Sequence, residues 1–172
     1  MFANLQLSPT ERVIVGSRML DKQGRFSGYR LNPDASQGII DSVNANISTL
    51  YFEGDFGQIF PRLDPGDKYR LDYGIVVGRQ PLLIQDGMLI NDNSLDAIAI
   101  VRNNLFTGGT TQARLTALYS WNRINRPLPG NGLDESADMY ALFYEADTVK
   151  STINAELVFV DSDDFRDGLF FG

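Results

Sequence analysis

Residues 111–127 read "TQARLTALYSWNRINRP". Ala113, Leu115, Ala117, Tyr119 and Trp121 alternate with Arg114, Thr116, Leu118, Ser120 and Asn122. Such period-two alternation is the pattern of a strand whose two faces meet different surroundings. Both aromatic residues fall at one end of the apolar row. The row therefore faces either a protein core or a boundary between apolar and aqueous phases, which aromatic rings favour.

The same pattern recurs along the chain. In 151–161, Ile153, Ala155, Leu157 and Phe159 share one face, and Thr152, Asn154, Glu156 and Val158 the other. In 69–80, Leu71, Tyr73, Ile75 and Val77 alternate with Asp72, Gly74, Val76, Gly78 and Gln80. Strands are also read at 11–20, 44–53, 95–104, 112–122 and 137–146, with no helix beyond a turn or two. Most of these segments span about ten residues, against roughly five or six for a strand in a globular domain. About 9–11 residues is what a tilted strand needs to cross a bilayer. Tyr119 and Trp121 then read as an interfacial aromatic girdle.

The connectors alternate between long ones, at 20–38 and 123–136, and short ones such as "EADTVKS" at 145–151. That rhythm fits an outer-membrane barrel, although sandwiches carry long loops too. "PLLIQDGMLINDNS", residues 81–94, does not alternate. It reads as a hairpin folded inside a barrel, or as an irregular strand continuation with Gly87 at a bulge. Pro81 has no N–H for a ladder, so regular pairing is expected to stop there. Arg79 falls by parity on the row of Ile75 and Val77. It is placed either at the rim or, through a bulge at Gly78, in the lumen.

Composition narrows the chemistry. The 172 residues are 43% hydrophobic and 22% charged, with a net charge of −7 and neither cysteine nor histidine. Disulfide and thiolate chemistry are excluded, and so is a Ser-His-Asp triad. The acidic balance argues against a nucleic-acid partner. No run is long and apolar enough for a transmembrane helix. Dinucleotide, P-loop and G-x-S-x-G patterns are missing. "NDNSLD" (91–96) and "DSDD" (161–164) carry oxygen ligands suited to calcium but lack EF-hand spacing, and such turns ordinarily satisfy their own backbone. Asp64 and Asp67 around Pro65-Gly66 read the same way. Glu53 and Asp55 are a carboxylate pair with no raised-pKa partner for glycoside chemistry. No enzyme activity, cofactor or metal site is expected.

"LDYGIVVGRQPLLIQDGMLINDNSLDAIAIVRNNL", residues 71–105, resembles the porin-like outer-membrane β-barrel proteins of Gram-negative bacteria, broadly of the alginate-export type. The matching residues are Gly78, Arg79 and Gln80, then Asp86 and Gly87, then Leu95–Asn104. "LFYEADTVKSTINAELVFVDSDD", residues 142–164, resembles a barrel hairpin turning at Asp147–Lys150. The resemblance implies passive or facilitated diffusion through a lumen, a signal peptide and more strands than are read here. The N-terminal twenty residues show no signal pattern, and "DGLFFG" reads as the start of a further strand.

The expectation is one all-β domain over 1–172, an antiparallel up-and-down meander of seven or eight strands. It forms a transmembrane β-barrel, or an open part of one incomplete at one or both ends. The expected function is a bacterial outer-membrane channel for small hydrophilic solutes, with the lipid bilayer and the solute as partners; a homo-oligomer is compatible with it. Arg102 and Arg114 on neighbouring strands, facing Asp138 and Glu156 on the next two, are the candidate pore-lining residues. They either set a field across the lumen or pair across strands. The other reading is a soluble β-sandwich that binds carbohydrate through loop aromatics such as Tyr29, Phe56 and Phe60.

Overall fold

The computed structural model describes residues 1–19, 21–22, 25–26, 28–30, 38–40, 46–63, 72–84, 90–105, 109–121, 123–125 and 133–172. Among these, one antiparallel sheet dominates. Its strands are β1 (Phe2–Gln6), β2 (Arg12–Ser17), β3 (Ile47–Asp55), β4 (Tyr73–Ile84), β5 (Ile90–Arg102), β6 (Gln112–Trp121), β7 (Ala137–Asp147), β8 (Thr152–Ser162) and β9 (Gly168–Phe171). The nine strands lie side by side in chain order, so the sheet is an open up-and-down meander with β1 and β9 at its edges. The only described helix is a single turn, Phe56–Ile59, capped by the Asp55 side chain accepting from the Gln58 N–H. The other pairings are three two-stranded ladders in the connectors.

The expected strands are found with shifted ends: β4 has the expected length but lies four residues further along the chain, and β5 is longer than the sequence suggested. Two edges add to them. Phe2–Gln6 was not read as a strand, yet it pairs with β2 from Phe2 opposite Gly16 to Gln6 opposite Arg12. The C-terminal "GLFF" pairs with β8.

Register sorts every side chain onto one of two faces, because opposed residues share a face. Ala117 on β6 lies opposite Ile100 on β5 and Leu142 on β7, and Leu142 lies opposite Leu157 on β8. This outer face runs on through Ile75, Val77 and Phe52 to Val13, and at the far side to Phe171. On the inner face Leu118 lies opposite Ala99 and Ala141, and Ala141 opposite Val158.

The core sits on the inner face. Leu95, Ala97, Ala99, Leu118, Met139, Ala141, Val158 and Val160 are all buried there. The end of the β4–β5 hairpin covers them. Beyond Gln80 the register shifts, and Leu82 resumes pairing opposite Asp92. Pairing was expected to end at Pro81. Instead the ladder skips the residue that cannot donate and then continues. Leu82, Ile84 and the buried Ile90 then pack against the inner-face cluster. Gly87 and Asp86 lie outside the described residues, as do Leu71 and Asn122 and the Asp64–Asp67 turn.

Candidate functional site

The outer face inverts the usual order of a soluble sheet. In β5 to β8 every exposed large apolar side chain, Ile98, Ile100, Tyr140, Leu142, Ile153, Leu157 and Phe159, points outward. The buried residues of these strands point inward, apart from Ala113 and Ala146, which oppose each other near one edge. Ile75 and Leu115 are half-buried on the same outer face, and Ala117 is exposed. The small Ala117 between tall neighbours leaves a hollow of about 450 Å³ walled by Ile98, Ile100, Tyr140, Leu142 and Phe159.

Polar and aromatic groups bound this apolar band at both strand ends. At one end Tyr119 donates to Asp138 at 3.2 Å. Its ring lies 5.7 Å from Trp121 and 5.1 Å from Tyr140, and Tyr140 stacks on Phe159 at 6.4 Å. Arg79 occupies the same end of β4. It lies on the outer row with Val77, and its guanidinium grips Asp96 of β5 through Nε at 2.8 Å and Nη2 at 2.7 Å. Of the two placements open for Arg79, the outer rim is the one adopted. No register shift occurs at Gly78.

At the other end the Arg102 guanidinium lies 4.5 Å from the centre of the Tyr73 ring. Arg102 and Asp138 therefore correct the sequence reading. Arg102 opposes Leu115 and Tyr73, and Asp138 opposes Trp121 and Asp161, all on the outer face. Both have the parity of their strand's apolar row, with Ile98 and Ile100 in one case and Tyr140 and Leu142 in the other. They sit at the ends of those rows, where a charged tip can turn toward water while its stem covers apolar surface.

Arg114 and Glu156 do reach the inner face. They line one cavity of about 370 Å³, together with Val76, Leu82, Phe143, Glu145 and Asn154. Strands four apart in a flat sheet would be separated by about 19 Å. A cavity reached by both Val76 of β4 and Asn154 of β8 thus requires the sheet to curl around its inner side. Within this cavity Arg114 is already ion-paired. Its Nη2 bonds both carboxylate oxygens of its cross-strand neighbour Glu145, at 3.1 and 3.0 Å. Sequence reasoning missed Glu145 as that partner, although its offset within the 137–146 strand was readable. A second cavity of about 320 Å³ adjoins on the far side of Arg114 and is lined by Glu53, Asp55 and Asn103.

Glu53 and Asp55 have local roles. Glu53 is ion-paired to Arg12 at 2.5 Å, and Asp55 caps the helical turn. In the "DSDD" turn, Ser162 N–H donates to Asp167 and Phe165 N–H to the Ser162 hydroxyl. Among the described residues no group of three or more acidic side chains converges on a metal position. Phe56 and Phe60 contact each other at 5.0 Å with rings tilted by 52°, and Tyr29 is exposed. No helix among the described residues is long and apolar enough to cross a membrane.

The chain matches no family model, no curated protein and no solved structure.

The Arg79–Asp96 pair yields a prediction. Two exposed partners in water gain about 0.2–1 kcal/mol from such a pair. The Arg79 and Asp96 side chains are 39% and 22% exposed, so the pair keeps access to water. Asp96→Val alone is expected to cost about 1 kcal/mol, the upper end for such a pair. Arg79→Val together with Asp96→Val is expected to recover most of that loss. Denaturant titration of the four proteins in the cycle measures it, and additive single losses would mean that the pair contributes nothing to stability.

Proposed function

We propose that this chain forms the wall of a porin-like β-barrel in a bacterial outer membrane and guides small hydrophilic solutes along its inner face. The observation that carries the reading is the inverted burial of β5 to β8, with the apolar row outward and the core inward. A soluble monomer rarely exposes a contiguous apolar patch above a few hundred Å². A bilayer covers such a face at no cost in unsatisfied backbone, because each interior strand is paired on both sides. The dimensions are compatible. Asp138 to Ala146 on β7 spans eight steps, about 27 Å at roughly 3.4 Å per residue. At a tilt of about 40° that is on the order of 20 Å of height, comparable with the ~25 Å apolar band of outer-membrane walls. Aromatic groups at both margins fit the interfacial girdles.

The inner face offers a polar path only in part. Toward the Trp121 end it is apolar and filled by the β4–β5 hairpin. Toward the Arg102 end it carries Arg114, Glu145, Asn154 and Glu156. Solute passage is accordingly assigned to that polar half, narrowed by the hairpin.

Two measurements test this reading. Purified protein should need detergent to stay dispersed and should integrate into vesicles so that alkaline washing leaves it bound. A protein that remains monomeric in plain buffer would sink the proposal. In planar bilayers, Glu156→Gln should shift the reversal potential toward anion preference, because it removes a lumen carboxylate with no cross-strand cation. Arg114→Gln should shift it less, because Arg114 and Glu145 already neutralise each other. Unchanged potentials in both variants would make these charges structural.

A further inference from the structure

The hollow on the outer face borders an acidic margin. It forms at Ala117, which is exposed between Ile100 and Leu142 of the neighbouring strands. Its volume of about 450 Å³ is that of an ordinary ligand pocket. Tyr140 and Phe159, opposed across β7 and β8, wall its side nearest the Trp121 margin. The next outward residues on those two strands are Asp138 and Asp161, which also oppose each other. Two steps along a strand cover about 7 Å, so both carboxylates lie just beyond the hollow. Both can be reached, since Asp161 is exposed and Asp138 half-buried. Like charges directly opposed across strands repel. The ion pairs among the described residues, Arg12–Glu53, Arg79–Asp96 and Arg114–Glu145, involve neither of them. Tyr119 donates to Asp138, which satisfies an oxygen without bringing positive charge.

We propose that the hollow seats an acyl chain of a phospholipid with a primary-amine head group, the ammonium lying between Asp138 and Asp161. The inference rests on the bilayer reading above and names the lipid that the outer face selects. The charge of the margin decides among occupants. A lipid of net negative charge meets two carboxylates without a cation. A second copy inserted in the same direction would bring its own Asp138 and Asp161 to the same height, like charge beside like. A trimethylammonium head has the charge but no N–H, and charge-assisted hydrogen bonds to a carboxylate are the strong kind.

The chain carries its own reporter. Trp121 is the only tryptophan, and its ring lies 5.7 Å from that of Tyr119, which lines the hollow. Bromine on a seated acyl chain should therefore quench its fluorescence. The full chain is placed in phosphatidylcholine vesicles, and lipids brominated near the head group are added with ethanolamine, choline or glycerol heads. The ethanolamine lipid should quench with an apparent affinity about fivefold above the choline lipid, the fold-change that one charge contact at a membrane surface ordinarily supplies. The anionic glycerol lipid should be the weakest. Asp138→Asn together with Asp161→Asn should bring the ethanolamine and choline curves together. Ala117→Phe, at an exposed position, fills the hollow while keeping both charges, and it should remove the preference too. Equal quenching by ethanolamine and choline lipids, quenching by the glycerol lipid as strong as by the ethanolamine lipid, or a preference that survives either variant would each overturn the proposal. Strong quenching without head-group preference removes this site and leaves the bilayer reading standing. No quenching even in vesicles made wholly of brominated phosphatidylcholine removes the bilayer reading, and the site with it.

Discussion

If the outer face lies in a bilayer, as proposed, Leu142→Arg lowers the stability of the protein folded in lipid vesicles by about 2–4 kcal/mol, the cost of an arginine near the mid-plane of a barrel wall. Leu142 is 43% exposed and lies at the centre of the outer face. Ala117 and Leu157 flank it across the neighbouring strands, and Tyr140 and Tyr144 bracket it along its own row. If water covered that face, the substitution would fall within about 0.5 kcal/mol of neutral, as surface changes ordinarily do. The two environments thus differ by several-fold in the measured quantity. Depth provides an internal scale. Ile153 opposes Ala146 on the same face, close to the β7–β8 turn, and Ile153→Arg should cost only about 0–1 kcal/mol, the interfacial value. Leu115 opposes Arg102 at the margin, so arginine there should also fall near the low end. Urea titrations of vesicle-folded protein measure all three. A flat profile, with Leu142→Arg no worse than Ile153→Arg, would mean that the outer face does not see a graded apolar phase.

Much of this sheet was legible because a strand with two unlike faces writes itself as period two. In 69–80, 112–122 and 151–161 parity alone separated the outward rows from the inward ones, and register then joined those rows across strands. The burial sign was less accessible. Alternation shows that two faces differ, and only the structure shows that Leu157 and Phe159 are exposed while Val158 and Val160 are buried. The inner face misled in a second way. Val158, Leu118 and Ala99 are apolar there because the β4–β5 hairpin fills the space above them. Within the non-alternating stretch 81–94, Leu82, Ile84 and Ile90 stay in the ladder after the register shift and pack against the inner-face cluster. Arg102 and Asp138 were assigned inward because they are charged, against their own parity. Charges at the ends of an apolar row need no inward placement, since the row ends where water begins. Phe2–Gln6 went unread because five residues give too few alternations to distinguish a strand from a tail, and its pairing with β2 is a tertiary fact.

Gly78→Ala is expected to destabilise the fold by about 3 kcal/mol or more, combining backbone strain of roughly 1–3 kcal/mol with a steric clash. Gly78 sits inside β4 with φ +126°, a conformation that L side chains rarely adopt. A Cβ there would be driven onto the Leu50 carbonyl oxygen and to 2.9 Å from the Tyr51 Cα. Both obstacles are backbone atoms of the paired strand β3, so no rotamer change relieves them. The β3–β4 ladder, in which Tyr51 opposes Gly78 and Leu50 opposes Arg79, would have to open. Gly74, four residues earlier on the same face, is the control. Its nearest neighbour to an added Cβ is the Val101 Cβ at 3.6 Å, an ordinary contact. Gly74→Ala should therefore be neutral or stabilising by up to about 1 kcal/mol, because glycine in a strand interior carries an entropic penalty of roughly that size. Chemical denaturation compares the two variants. Limited proteolysis adds a functional readout, since Gly78 leads directly into Arg79 and then into the hairpin over the inner core. Opening of the ladder should loosen that hairpin and make the peptide bonds beyond Pro81 cleavable in Gly78→Ala while Gly74→Ala stays protected. Equal stability and equal protection of the two variants would show that the close approach at Gly78 does not hold the wall and hairpin together.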